Sequence, residues 1–154
     1  MIYLDNAATT KPYSEVAETV CEINENEYFN PSALYLKGAE AKNAIEQSRG
    51  KIARILGVAS SEIFFTSGAT EADNWAVSSG FKNKKGNVVV SAGEHSAIYE
   101  SALNLKNKGY DVRFAPLSAD GTVNRAKFEA LVDSETSFVS VIHYSNETGA
   151  INDI

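Results

Sequence analysis

Four short runs of β-branched and apolar residues, with helical patterns between them, constrain this chain more than any other feature. They are Ile63-Phe64-Phe65-Thr66, Val88-Val89-Val90-Ser91, Val112-Arg113-Phe114-Ala115 and Phe138-Val139-Ser140-Val141-Ile142. Two are nearly continuously apolar, as strands covered on both faces are. Ala41, Ile45, Ser48, Ile52 and Ile55 share one helix face, and Gly57 stands where a helix end favours glycine. Ile98, Ala102 and Leu105 make a second stripe ahead of Gly109, and Phe128, Leu131 and Val132 a third. Ser14-Glu15-Val16-Ala17 opens a helix after Pro12, and Asp120-Gly121 marks a turn. Strand–helix alternation predicts an α/β layered fold with a largely parallel sheet. Residues 1–12 read as an extended N-terminal segment and 13–154 as one body.

Charge and cysteine use narrow the function classes. The net charge of −6 argues against a nucleic-acid partner. The one basic cluster, Lys82, Lys84 and Lys85 beside Gly86, reads as a solvated loop. A single cysteine, Cys21, excludes an internal disulfide and suits a reducing, cytoplasmic setting. It lies beside Val20 on the predicted 14–25 helix and reads as a small structural hydrophobe. The N-terminus has no signal-peptide pattern, and no apolar run is long enough for a membrane helix. Asn146-Glu147-Thr148 matches a glycosylation sequon, which without a secretory signal reads as accidental. Neither His95 nor His143 stands at metal-ligand spacing from the carboxylates, so no metal is expected.

The chemistry-bearing segment is Thr66-Ser67-Gly68-Ala69-Thr70-Glu71, between the first apolar run and the helical stretch 72–77. A strand, a glycine turn and a helix start make an anion site, because the first turn of a helix has unpaired N–H groups and a positive dipole end. Gly68 lets the backbone come close to a ligand. The Gly-Lys-Ser/Thr element of a nucleotide P-loop is absent, and so is the three-glycine dinucleotide spacing. Taken alone, the segment also fits a helix capped by Thr70.

Residues 66–74 resemble the phosphate cup of class V aminotransferase-like enzymes, and the NifS and IscS cysteine desulfurases are the group most similar. Four further segments agree in order: Tyr3-Leu4-Asp5-Asn6-Ala7-Ala8-Thr9-Thr10, Asn30-Pro31-Ser32-Ala33, Glu94-His95-Ser96-Ala97 and His143-Tyr144-Ser145-Asn146-Glu147-Thr148-Gly149. The resemblance implies a three-layer fold of the pyridoxal-phosphate (PLP) transferase type, with 13–154 as the N-terminal part of the large PLP-binding domain. It implies that Ala69 and Thr70 bind the cofactor phosphate. His95 would stack on the pyridine ring and move protons, and Asn146 would hydrogen-bond the ring oxygen. Asn6, Ala7 and Ala8 would lie near the substrate carboxylate. His143 reads as structural. The family commonly has a histidine after the Asn-Pro-Ser segment, where this chain has Tyr35.

The resemblance also implies pieces this sequence does not contain. No Ser-x-His-Lys segment is present to supply the Schiff-base lysine, nor the aspartate that pairs with the pyridinium nitrogen. Cys21 is not the counterpart of the family's persulfide cysteine. The sheet is expected to be incomplete and the chain to be a piece of a longer enzyme, inactive by itself. The whole enzyme would convert L-cysteine to L-alanine and pass sulfur to an enzyme persulfide and an acceptor protein, for iron–sulfur cluster assembly among other uses, and would work as a homodimer. The alternatives are a non-catalytic half that pairs with a complementary or intact subunit, another class V transferase such as selenocysteine lyase, and an unrelated phosphate-binding α/β domain.

Overall fold

The computed structural model describes residues 2–80 and 86–154. The cluster Lys82, Lys84 and Lys85 lies outside the described residues. The chain divides into two compact units, Met1–Phe65 and Thr66–Ile154.

The first unit is helical. Residues 2–13 carry neither helix nor strand. A turn at Asn6–Ala8 closes through the Ala8 N–H to the Asp5 carbonyl at 3.2 Å. Helix α1 spans Ser14–Asn26 and buries no residue. The structure corrects the reading of Cys21. The thiol is exposed and lies 3.6 Å from a Glu25 carboxylate oxygen, because its helix presents both faces to solvent.

Helix α2 spans Leu36–Leu56 and stops at Gly57, whose φ of 70° is the left-handed conformation that glycine reaches without penalty. The N–H groups of Gly57 and Val58 bond the carbonyls of Arg54 and Ala53, which satisfies two of the helix's last carbonyls. Near its start, α2 passes tightly over the Asn-Pro-Ser turn. There the Asn30 side chain accepts the Ser32 N–H at 2.8 Å. A Cβ on buried Gly38 would stand 2.6 Å from the Ala33 carbonyl oxygen and 2.8 Å from that of Asn30. Backbone atoms cannot swing aside as a flexible side chain would. Gly38→Ala is therefore expected to destabilise this unit by about 1–3 kcal/mol. Faster amide exchange in α2 and in residues 30–35 would register it, and unchanged exchange would refute it.

The run Ile63-Phe64-Phe65-Thr66, expected as a strand, is extended at Ile63 but pairs with no strand among the described residues. Its backbone is engaged elsewhere. Arg49 of α2 donates to the Ile63 carbonyl, and its guanidinium lies over the Phe65 ring at 4.7 Å.

The second unit is an α/β layer. Its elements are α3 (Ala69–Ser79), β1 (Asn87–Ser91), α4 (Ser96–Asn107), β2 (Asp111–Ala115), α5 (Arg125–Leu131) and β3 (Thr136–Ser140). The strands form a parallel sheet in the order β2-β1-β3, with Val90 opposite both Phe114 and Ser140. Strand β1 is wholly buried, as its Val-Val-Val run required. Val88 and Val90 face a cluster of Val77 from α3, Ile98 and Ala102 from α4, and Val112 from β2. Val89 takes the opposite face by strand alternation. Helix α5 packs against β1 and β2 and shares a groove with Val139, the register partner of Val89. The sheet is therefore flanked by helices on both faces. The last strand lies two residues earlier than its apolar run suggested, because its ladder with β1 ends at the Val90–Ser140 pair.

The amino ends of the strands are tied by a polar network. Asn87, 1% exposed, donates its amide to Asp133 at 2.8 Å and accepts the Thr136 hydroxyl at 2.8 Å. Arg113 bonds Asp111 at 2.7 Å, Asp133 at 2.6 Å and the Leu131 carbonyl at 2.8 Å. Hydrogen bonds from Arg113, Asn87 and the Glu135 N–H hold the Asp133 carboxyl down at about 2, below its ordinary 3.8. A depressed acid stabilises the fold above its unfolded pKa and loses that contribution as pH falls through the folded one. The urea midpoint is expected to be level above pH 4 with respect to this group and to fall towards pH 2. Asp133→Asn should lower the midpoint at neutral pH and flatten that part of the profile. An identical slope in both proteins would rule out Asp133 as its source.

Candidate functional site

The opposite, carboxyl ends of the parallel strands carry the sequence-nominated residues. Ligands of open α/β sheets bind at this edge, because the loops there have helix N-termini facing them. Three segments of the second unit contribute.

The first is the start of α3. Its N-cap is Gly68, in extended backbone, and its first helical bond is from the Ala72 N–H to the Gly68 carbonyl at 3.3 Å. The N–H groups of Ala69, Thr70 and Glu71 thus precede the helical ladder. A Cβ built on Gly68 meets nothing within 4 Å, so the approach to these donors is open. Thr70 itself does not cap the helix. The Glu71 carboxylate turns back to accept both the N–H and the hydroxyl of Ser67 at 2.7 Å each. Those two bonds, the backbone one first, lower the Glu71 pKa. They fix the turn and occupy Ser67, leaving the N–H groups of Ala69 and Thr70 and the Thr70 hydroxyl as donors for an anion.

The second segment follows β1. The Glu94 N–H bonds the Ser91 carbonyl at 3.3 Å and the Gly93 N–H bonds the Ser91 hydroxyl at 3.1 Å. That tight turn delivers His95 as the N-cap of α4, where Nδ1 accepts the Ala97 N–H at 3.2 Å.

The third follows β3. Residues 143–152 fold back on themselves through an antiparallel bridge between Tyr144 and Ile151. The Ser145 N–H reaches the Ala150 carbonyl and the Gly149 N–H the Ser145 carbonyl, both at 2.9 Å. Asn146 sits exposed in the turn so formed. His143 is exposed at its base, with its ring against Tyr144.

Two residues to which the sequence reading gave no role hold these segments. Glu94 lies half buried, and hydrogen bonds from the Ser140 hydroxyl and the Ile142 N–H connect it to the end of β3. Burial raises its pKa, Asp73 adds to the rise, and the two hydrogen bonds oppose it. One carboxylate oxygen is buried without a partner. Asn152, 6% exposed, is the second. Its amide donates to the Ile142 carbonyl at 2.7 Å and its oxygen accepts the Val123 N–H at 2.8 Å. Neither could be found from sequence, since each acts across long chain separations. Only the position of Glu94 beside His95 hinted at it.

Asn6, Ala7 and Ala8 fall in the first unit, in the exposed turn described above. Among the described residues no three His, Cys, Asp or Glu side chains gather as a metal site, and no helix is long and apolar enough to cross a membrane.

The family profile described as Aminotransferase class-V matches residues 2–154. A NifS/IcsS protein homolog of Lactobacillus delbrueckii subsp. bulgaricus is 36% identical across 100% of this chain and 41% of its own length. Cysteine desulfurase IscS of Methanosarcina thermophila is 35% identical across 99% of this chain and 39% of its own. The chain thus spans about two fifths of these curated relatives. Among solved structures, a NifS-like protein superposes with a TM-score of 0.89 at 38% identity, over 98% of this chain and 42% of that one. SspA in complex with cysteine superposes with a TM-score of 0.87 at 33% identity, over 99% and 45%.

Proposed function

The chain belongs to the aminotransferase class-V family, and from that premise we propose that it forms the phosphate cup and ring-stacking wall of a PLP-dependent cysteine desulfurase. The reading rests chiefly on the carboxyl edge of the sheet. Strands β1 and β3 are adjacent and parallel, so the loops bearing His95 and Asn146 leave the same edge. Glu94 ties those loops together, and α3 packs against α4, the helix that His95 caps.

The donor set fits a phosphate monoester. The N–H groups of Ala69 and Thr70 and the Thr70 hydroxyl bind its oxygens, with the α3 dipole behind them. His95 would stack against the pyridine ring, and Asn146 would hydrogen-bond the ring oxygen. When bound, PLP supplies an electron sink for chemistry at the amino-acid α-carbon. The substrate proposed is L-cysteine, supported by the relatives' activity and by the cysteine complex of SspA. A sulfur acceptor protein follows from that activity. Ala69, Thr70, His95 and Asn146 are all exposed here. This wall binds and orients, and excluding water needs further surface.

Titration with PLP, monitored by the single tryptophan Trp75 on α3, tests the reading. Saturable quenching that inorganic phosphate competes away, and that pyridoxal without its phosphate reproduces only weakly, is expected. Equal binding of pyridoxal and PLP would overturn the phosphate-cup assignment.

A further inference from the structure

Helix α4 begins in an uncommon way. Ser, Thr, Asp and Asn are the usual N-caps, yet an imidazole fills that place here. The His95 carbonyl accepts the N–H groups of Ile98 and Tyr99, both at 3.0 Å. The Ala97 N–H is left to the side chain, and Nδ1 takes it at 3.2 Å. Ala97 is only 9% exposed, so this donor is poorly placed to find water instead. A ring nitrogen that accepts a hydrogen bond carries no proton, and a neutral imidazole carries one.

We propose that the two ring nitrogens of His95 have separate duties. Nδ1 is fixed as the cap of α4, so Nε2 bears the ring's proton and is offered to a bound ligand as a hydrogen-bond donor. The second clause rests on the PLP reading; the first does not. The cap also sets the imidazole's orientation from the helix rather than from the ligand, so the ring is positioned before anything binds. A ligand atom arriving at Nε2 meets a donor, which selects an acceptor oxygen or anion at that point.

The test uses the chain without cofactor, so its outcome is independent of the PLP titration. Long-range proton–nitrogen correlation spectra of histidine-labelled protein read the tautomer directly. The two histidines are assigned with a His143→Gln variant. His95 is expected to show a persistent Nε2–H tautomer, and an Nδ1–H or tautomer-averaged signal would overturn the proposal. Amide exchange at Ala97 gives a second reading. Loss of the cap in His95→Ala should speed it about tenfold. His95→Asn places an acceptor where Nδ1 stands and should restore slow exchange, whereas His95→Gln should not. Equal rates in the Asn and Ala variants would also sink it.

Discussion

Ala69→Pro is expected to weaken binding of PLP and of inorganic phosphate by about tenfold to a hundredfold while leaving helix α3 in place. Ala69 is the first helical residue, where the missing proline N–H breaks no helical bond and the fixed φ suits the helix. The residue before a proline must be extended, and Gly68 already is, with a ψ of 178°. The substitution therefore removes one donor from the proposed phosphate cup and little else. A hydrogen bond to a charged group contributes about 1.5–3 kcal/mol, which sets the expected range. Paired titrations with far-ultraviolet circular dichroism would measure both halves of the claim. Unchanged affinity with an unchanged spectrum would remove Ala69 from the site.

The second large effect is on stability. Asn87→Ala should lower the unfolding free energy by about 2–4 kcal/mol, since it opens a buried gap and strips partners from groups that stay buried or charged. Thr136 loses the nearer of its two acceptors and Asp133 loses one donor, at the junction of β1 with the loop before β3. Urea unfolding followed through Trp75 would read the shift. The loss should be non-additive with Asp133→Ala, because both changes dismantle one network. A strictly additive double variant would show that Asn87 acts by packing alone.

These two positions differ in how visible they were beforehand. Ala69 belongs to a glycine turn between an apolar run and a helix, and local sequence suffices to suggest an anion site there. Asn87 looks like an ordinary polar residue at a strand start. Its importance comes from Asp133 and Thr136, more than forty positions away, and no local pattern encodes such a meeting. Glu94 and Asn152 are hidden in the same way. Two expectations failed for a related reason. The run Ile63–Thr66 has strand composition, but a strand needs a ladder partner, and Arg49 of α2 takes its carbonyl instead. Cys21 has the residue type of a buried thiol, but burial depends on what covers a helix face, and none of the described residues covers that one.

The sequence by itself determined what periodicity and short-range sterics control. It placed the helices and three of the strands. It marked Gly57 as a helix end, the parallel α/β character, and the glycine turn that starts a helix at Gly68–Thr70. Each of these depends on neighbours within a few residues. Only the tertiary structure decided the sheet order β2-β1-β3, which puts the loops of His95 and Asn146 on one edge. It alone revealed the Glu94 tie between them and the commitment of His95 Nδ1 to a helix cap. The physical reason is that a polar side chain takes its role from the partner it finds when buried. Chain separation does not limit that partner, so residue type cannot announce it.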